Sequence, residues 1–597
     1  MRILTSFLVC CSLFWLAACG TGGGNSNPPG RLSLSLSPSS SVVVFPGQPA
    51  VTVNVTLVRQ GTTGNVTLSA PGLPSGVTAT FQQPGASNSG AMTLTDSAAA
   101  PATYPVTVSA SDGTVAGSAA LSLTAGVVTQ IQTATNGNFA VAMSTSFQPA
   151  EWDNQFFQTN PTATTTLGAL QPSHIRLQGI SQGVPQTSAT TWDFTVLDDI
   201  TQPVLGVGDH SPEFQIAKAP PFMYVSDDSG NSFLDLTFQQ FAGYAQNLVQ
   251  YYDKGGFTDS GGVFHVSTAY GLTPPETITW WGIYNEPNLN NNLTPQQYVT
   301  MYNEVVPQMQ AIDSTIKFAA LELSDFSGQP QSWVPPFVDN NTGVKAQVDA
   351  MATHFYSTCN QKDSDATVLG TIPGFVSDVQ FFYAQMANNP ALASVPVWVT
   401  ENNVNADYEI AGGNSACNPN QKFVTDLRGS SPFFAAWRPY VFSQLGKANV
   451  QALYHWDFDA DQQFGEVDYN TGAYQLSYWV DYWLQRMFPS PPGAQLLSYT
   501  STDSSDIEIL PVLNGDGSVV VMVSDYAVNA AGDNNGPGAP RTILIDTSAL
   551  GNFQSGSLMT IDATTNVASG PTASPVTPAP QIPVTFNGYG VVFLKLQ

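Results

Sequence analysis

Positive charge is scarce in this chain. Lys and Arg number 16 against 43 Asp and Glu in 597 residues, a formal net charge of −27. A surface this acidic repels phosphate backbones, which excludes nucleic acid as a partner. It also offers no basic patch for docking on anionic lipid. Charge of either sign is thin, at 10% of residues, so the surface is mostly neutral and polar and suits a substrate that is not recruited by charge. Long hydrophobic runs are missing beyond the N-terminus, so no later stretch is expected to span a bilayer, which takes about 20 apolar residues. The length argues for about three or four domains.

The first residues carry an address. Arg2 precedes a mostly apolar run that includes Phe7, Leu8, Val9, Leu13, Phe14 and Trp15 and ends in Leu16-Ala17-Ala18-Cys19. A run this short with small residues at its end reads as a secretory leader. Leu-Ala-Ala-Cys resembles the bacterial lipobox, which implies lipidation of Cys19 after removal of the leader. Residues 20–30, rich in Gly, Asn and Pro, would then be a flexible tether. The expectation is an exported lipoprotein, periplasmic or on the cell surface, that meets the membrane only through this anchor. An ordinary leader with a chance Cys is the alternative. Of the five cysteines, Cys10 and Cys11 also fall in the leader. Cys359 and Cys417 remain and read as a disulfide in an exported protein, with two buried free thiols as the alternative.

Residues 31–126 alternate apolar and polar positions, as in Val51-Thr52-Val53-Asn54-Val55-Thr56-Leu57. Turn clusters such as Pro46-Gly47 and Pro74-Ser75-Gly76 punctuate them. Short strands at that spacing predict an immunoglobulin-like β-sandwich. Its aromatics, Phe45 and Phe81, are isolated, which favours a spacer over a sugar-binding module. From 127 to 490 short apolar runs alternate with longer amphipathic ones. Strands are expected at 139–144, 174–178, 214–217, 278–284, 316–321, 350–356, 395–400 and 450–456. Helical patterns at 238–252, 295–312, 375–386 and 433–445 separate several of them. Eight strands alternating with helices predict a central (β/α)₈ TIM barrel. Period two returns over 491–597 and predicts a C-terminal β-sandwich.

Barrel enzymes collect their reacting groups where strands end at the C-terminal rim. Two carboxylates stand at such places. Ile278-Thr279-Trp280-Trp281-Gly282-Ile283-Tyr284 runs into Asn285-Glu286-Pro287, and Pro287 stops strand pairing because it has no N–H. Val395-Pro396-Val397-Trp398-Val399-Thr400 runs into Glu401-Asn402-Asn403. By count these are the fourth and seventh strands. Two carboxyl groups flanking one bond can cleave a glycoside, one donating a proton and the other attacking the anomeric carbon. A surface Glu at a strand end is the bland reading of either residue alone.

An Asn-Glu after strand four and a Glu after strand seven is the pattern of the clan A retaining glycoside hydrolases. The chain is most similar to glycoside hydrolase family 39, the family of β-xylosidases, α-L-iduronidases and some exopolysaccharide glycosidases. The stretches that carry the resemblance are His174-Ile175-Arg176-Leu177-Gln178-Gly179, Trp281 to Leu289, His354-Phe355-Tyr356 and Thr400-Glu401-Asn402. Trp281-Gly282-Ile283-Tyr284 departs from the Phe-Glu-Val-Trp usual in that family. The resemblance implies that Glu286 is the general acid/base and Glu401 the nucleophile.

A nucleophile must stay ionised and needs a cation and donors beside it. Arg176, near the end of strand two, can supply both, and Tyr356, ending strand six, can donate to Glu401. Asn285 can hydrogen-bond a sugar hydroxyl, and His354 lies on the same strand face as Tyr356. The bland readings are a surface ion pair for Arg176, a core histidine for His354 and a rim aromatic for Tyr356. Trp456, ending strand eight, is the candidate stacking platform for a sugar ring, with a barrel-capping Trp as its alternative. Asp457, Asp459 and Asp461 lack the Gly and terminal Glu of an EF-hand loop, so no metal is assigned, and two-carboxylate chemistry needs no cofactor. The expected partner is a carbohydrate substrate. Two alternatives stay open: an inverting enzyme, with carboxyls about 6.5–9.5 Å apart, and a non-catalytic lipoprotein whose barrel only binds polysaccharide.

Overall fold

Alternation of buried and exposed residues is the rule in the first part of the chain. In the strand Val51–Gln60, Val53, Val55 and Leu57 are buried while Thr52, Asn54 and Thr56 face solvent. The computed structural model describes residues 30–148, 155–178, 183–207, 211–225, 232–267, 278–289, 293–324, 330–489 and 494–597. The leader, Cys19 and the tether up to residue 29 lie outside the described residues. Two compact units divide the chain between Ala125 and Gly126. The first unit holds two four-stranded sheets. Arg31–Ser37, Val51–Gln60, Ser89–Asp96 and Val77–Gln82 form one in that order, and Ser41–Val44, Ala116–Ala125, Ala102–Ser111 and Thr67–Ser69 form the other. Both turn their apolar positions into one core, which holds Val55, Met92 and Leu94 from the first sheet and Val108, Leu121 and Leu123 from the second.

The second unit is built around a closed barrel of eight strands in chain order. They are β1 (Ala142–Phe147), β2 (Ile175–Gln178), β3 (Glu213–Ile216), β4 (Trp280–Ile283), β5 (Lys317–Leu323), β6 (Ala350–Thr358), β7 (Val397–Asn405) and β8 (Val450–His455). Adjacent strands pair in parallel all the way round, and β8 returns to β1. Such strands are covered on both faces, which is why they read as continuous apolar runs. Helices lie between them at Ala163–Leu170, Thr195–Leu205, Gln239–Asp253, Pro295–Ile312, Pro330–Val338, Ile372–Met386 and Pro432–Lys447, and Leu476–Met487 follows β8. The helix Pro295–Ile312 starts as its sequence directs. Thr294 accepts from the Gln297 amide, the Gln297 side chain returns to the Thr294 amide, and Pro295 takes the first turn. Among the described residues no helix is long and apolar enough to cross a membrane.

The strands expected at the eight barrel positions are there, and their bounds differ instructively. β6 and β7 run on to Thr358 and Asn405, through residues that read as loop because they are polar. Their amides are all accounted for: Asn402 Nδ2 donates to the Phe355 carbonyl at 2.7 Å and Asn403 Nδ2 to that of Trp456 at 2.7 Å. The stretch Val127–Asn138, read as the start of the barrel region, belongs instead to a nine-stranded sheet otherwise made of residues 495–596. It pairs antiparallel with Gln495–Ser501 and parallel with Arg541–Asp546. Val127, Thr129 and Ile131 are at 0% exposure, and Val127 and Ile131 turn into this sheet's own core.

One face of this sheet keeps its own core, with Ile509, Val521, Val523 and Leu594. The other packs on the barrel helix Pro432–Lys447, which follows β7. Tyr589 meets Phe433 edge-on at 5.3 Å, Tyr526 stacks on Tyr440 at 4.1 Å, and Ser524 Oγ donates to the Ala436 carbonyl at 2.7 Å.

Candidate active site

The chain bends sharply where β4 ends. Tyr284 and Glu286 both take positive φ, 71° and 43°, a costly geometry for residues with a Cβ and one that collects at functional sites. Hydrogen bonds hold the bend: the Asn285 amide donates to the Ala217 carbonyl at 3.3 Å and the Glu286 amide to the Glu322 carbonyl at 3.0 Å. Glu401 sits inside β7, directly opposite His354 of β6, where the register between these strands shifts by one residue. That shift turns Glu401 into the barrel mouth, because side-chain direction alternates along a strand.

The seven residues that the sequence proposes for chemistry and sugar contact fall into one region. Arg176 is wholly buried, and its guanidinium is shared. Nη1 donates to Glu401 Oε1 at 2.8 Å and to Gln178 Oε1 at 2.9 Å, and Nη2 donates to Asn285 Oδ1 at 3.0 Å and Glu322 Oε2 at 3.3 Å. Tyr356 donates to the other oxygen of Glu401, Oε2, at 2.8 Å. His354 lies between the two glutamates, with Nδ1 3.0 Å from Glu286 Oε1 and 3.4 Å from Glu401 Oε2. One carboxylate oxygen from Glu286, one from Glu401 and the His354 nitrogen lie within 4.8 Å of one another. Glu286 and Glu401 are 9% and 5% exposed, buried but open to the mouth. Trp456 closes the far side, with Nε1 3.2 Å from Gln148 Oε1 and its ring edge-on to Tyr356 at 6.5 Å.

The charges sort themselves. Burial alone would depress the His354 imidazole, yet the charge of Glu401 and the bonds to Glu286 and Glu322 outweigh it and push it up to about 9. His354 is therefore a cation at neutral pH, facing Glu286 with one ring nitrogen and Glu322 with the other. Burial also opposes the Arg176 cation, but Glu322, Glu401 and Glu213 hold its proton more firmly than in water. Tyr356 is kept as a phenol well past its ordinary range by burial and by the Glu401 charge. Among the described residues a second group of ligand-type side chains exists, His455, Glu466 and Asp481. Both His455 nitrogens there already face acceptors, Asp481 Oδ2 at 2.8 Å and the Phe464 carbonyl at 2.7 Å.

The structure brings in residues that the sequence reading did not name. Glu322, in β5, lies at the centre of the network and contacts Arg176, His354 and Thr400. A lone acidic residue in the otherwise apolar run Phe318-Ala319-Ala320-Leu321-Glu322-Leu323 was its signal. Cys359 and Cys417 are disulfide-bonded, with Cα atoms 5.9 Å apart, and join the segment after β6 to the segment after β7. The loop 526–540, between two strands of the nine-stranded sheet, supports this wall from behind. Asp365 accepts from the Asn535 and Gly536 amides at 2.8 and 2.9 Å and pairs with Arg428, whose other partner is Asp426.

Residues 271–428 match the family model of the glycosyl hydrolase catalytic core. The matched core spans β4 to β7 and contains both glutamates. None of the curated proteins matches the sequence. Solved structures share the fold. A monomeric β-xylosidase from Caulobacter crescentus CB15 is 16% identical, with a TM-score of 0.54 over 79% of this chain and 99% of that one. A family 39 β-xylosidase from Caulobacter crescentus is 14% identical, with a TM-score of 0.53 over 79% and 99%. A family 51 arabinofuranosidase from Xanthomonas axonopodis pv. citri is 13% identical, with a TM-score of 0.53 over 79% and 100%. The chain thus resembles the clan A glycoside hydrolases, family 39 among them, in its glycosyl hydrolase core and in its fold.

Proposed function

We propose that the protein hydrolyses O-glycosidic bonds of a polysaccharide or oligosaccharide by double displacement, with Glu401 as nucleophile and Glu286 as general acid/base. The observation that carries this reading is the separation of the two carboxylates, whose nearest oxygens lie within 4.8 Å. Retaining enzymes hold their carboxyls about 5–5.5 Å apart, and inverting enzymes leave about 6.5–9.5 Å for a water. Arg176 and Tyr356 donate to different oxygens of Glu401, charge-assisted bonds that fix and aim the carboxylate a nucleophile needs. In the first step a Glu401 oxygen attacks the anomeric carbon while Glu286 gives its proton to the leaving oxygen. In the second, Glu286 takes a proton from water as the water attacks the anomeric carbon and displaces Glu401. Asn285, held by Arg176, stands beside the reacting carbon to meet a sugar hydroxyl, and Trp456 offers a ring for the C–H face of a sugar.

The test is hydrolysis of aryl glycosides and neutral plant and bacterial glycans by the parent protein, Glu401→Gln and Glu286→Gln, with the anomer of the first product read by proton NMR. The expected outcome is retention of configuration and loss of hydrolysis in Glu401→Gln. Glu286→Gln should keep its rate best on substrates with acidic leaving groups. Inversion, or full activity in Glu401→Gln, refutes the assignment. We also propose export, with a lipid anchor on Cys19. The Cys359–Cys417 bond supports an oxidising compartment, and loss of labelled fatty acid incorporation in Cys19→Ala tests the anchor.

A further inference from the structure

The base of the site holds two more carboxyl groups than the proposed mechanism uses, Glu213 on β3 and Glu322 on β5, both at 0% exposure. Burying carboxyls in a barrel core is costly unless they are paired and have work to do. Glu322 spends one oxygen on three partners. Oε2 accepts from Thr400 Oγ1 at 2.6 Å, from Arg176 Nη2 at 3.3 Å and from His354 Nε2 at 3.3 Å. Its backbone carbonyl accepts from the Glu286 amide at 3.0 Å. One residue therefore touches the cation beside the proposed nucleophile, the cation between the two glutamates, the residue preceding Glu401, and the main chain of Glu286.

The backbone is bent to allow this. Leu321 and Glu322 are consecutive non-glycine residues at positive φ, 81° and 47°, and the pairing of β5 with β6 shifts at this point. Space for the carboxyl comes from Gly282 on β4. A Cβ there would lie 2.8 Å from Gln215 Cγ, 3.1 Å from Glu322 Oε1 and 3.4 Å from Glu213 Oε1.

We propose that Glu322 is the positioning residue of this active site: by sharing its carboxylate among Arg176, His354 and Thr400 it fixes both cations against Glu401 and Glu286. The inference rests on the reading of Glu286 and Glu401 as the catalytic pair. The groups facing Glu322 are Arg176 from β2, Glu213 from β3, His354 from β6, Tyr454 from β8 and Tyr298 from the helix Pro295–Ile312. Those facing His354 are Glu286, Glu322 and Glu401. Burial opposes the charged form of Glu322, but Arg176 and His354 prevail and hold it at about 2. Glu213, buried and facing that charge, is pushed well above the ordinary carboxylate range. Its Oε2 accepts from the Tyr454 hydroxyl at 2.7 Å. The Glu322 carboxylate, with Glu401 and Glu286, raises the His354 imidazole.

The test is Glu322→Gln, with Thr400→Val as a milder second variant. Imidazole nitrogen NMR on ¹⁵N-histidine protein, with His354 assigned from a His354→Gln sample, reads the site without any substrate. The His354 titration should move down by about one pH unit or more in Glu322→Gln, because a neighbouring negative charge is lost. On 4-nitrophenyl β-D-xyloside and 4-nitrophenyl α-L-arabinofuranoside, kcat should fall roughly 10–100-fold, the range for charge-assisted hydrogen bonds, with KM little changed. The alkaline limb of kcat/KM should move down alongside His354. Thr400→Val should give the same changes at smaller size. An unmoved His354 titration, or an unmoved alkaline limb in a protein that Glu401→Gln inactivates, overturns the inference. Full activity in Glu401→Gln instead overturns the catalytic reading and leaves the NMR result to decide the role of Glu322.

Discussion

Replacing Arg176 with Met tests the electrostatic core of the site most directly. The substitution keeps a long apolar stem and removes one charge and four donated hydrogen bonds, to Gln178, Glu401, Asn285 and Glu322. Two routes give its size. Breaking a fully buried ion pair from one side typically costs about 3–5 kcal/mol. Holding the Glu322 carboxyl at about 2 rather than 4.5, against burial and chiefly through Arg176, corresponds to about 3 kcal/mol in favour of its charged form. For a cooperative unit of several hundred residues the unfolding entropy is about 1 kcal/mol per degree, so Tm should drop by about 3–5 °C at pH 6. The sign with pH follows from linkage. Glu322 is depressed in the folded state, so its contribution is complete above 4.5 and is lost as pH falls towards about 2. The variant has no such contribution to lose. Differential scanning calorimetry of both proteins should therefore show the Tm gap closing between pH 6 and pH 3. An equal gap at both pH values, or a gap under about 1 °C at pH 6, would refute the reasoning.

Tyr356→Phe removes one of the two donors on Glu401 while keeping the ring against Trp456. It should lower kcat/KM about 10–100-fold and leave Tm nearly unchanged, so a large loss of stability would point to a packing role instead. Replacing both Cys359 and Cys417 with Ser opens a closure of 58 residues, worth about 4 kcal/mol in the loop-entropy model. The expected result is a lower Tm with the thiol-free protein still folded, and an unchanged Tm would show that the loop 406–426 is held by its other bonds, such as Asp407 to Ser415 at 2.8 Å.

Much of the barrel was legible because its strands are buried on both faces. Runs such as Val397-Trp398-Val399 carry no polar residue and can only be staves of a covered sheet. The abrupt change from apolar run to Asn285-Glu286-Pro287 marked a rim, since Pro287 ends pairing wherever the strand lies. Bounds were less legible. Asn402, Asn403 and Asn405 read as loop, because a polar side chain in a buried strand is affordable only when its partners are known, and those partners come from β6, from the segment after β8 and from Asp426 after β7.

Local chemistry by itself determined the stave pattern, the placement of Glu286 and Glu401 on separate staves, and the pairing of the two late cysteines. Tertiary structure alone decided that Val127–Asn138 joins a sheet completed by residues 495–596, since a lone strand cannot say which edge will take it. It also decided that Glu322 underlies the site. A single acidic residue in an apolar strand announces only that something must pair with it. Closing the barrel brings β2, β5, β6 and β7 to one mouth, and that closure selects Arg176, His354 and Thr400 as the partners.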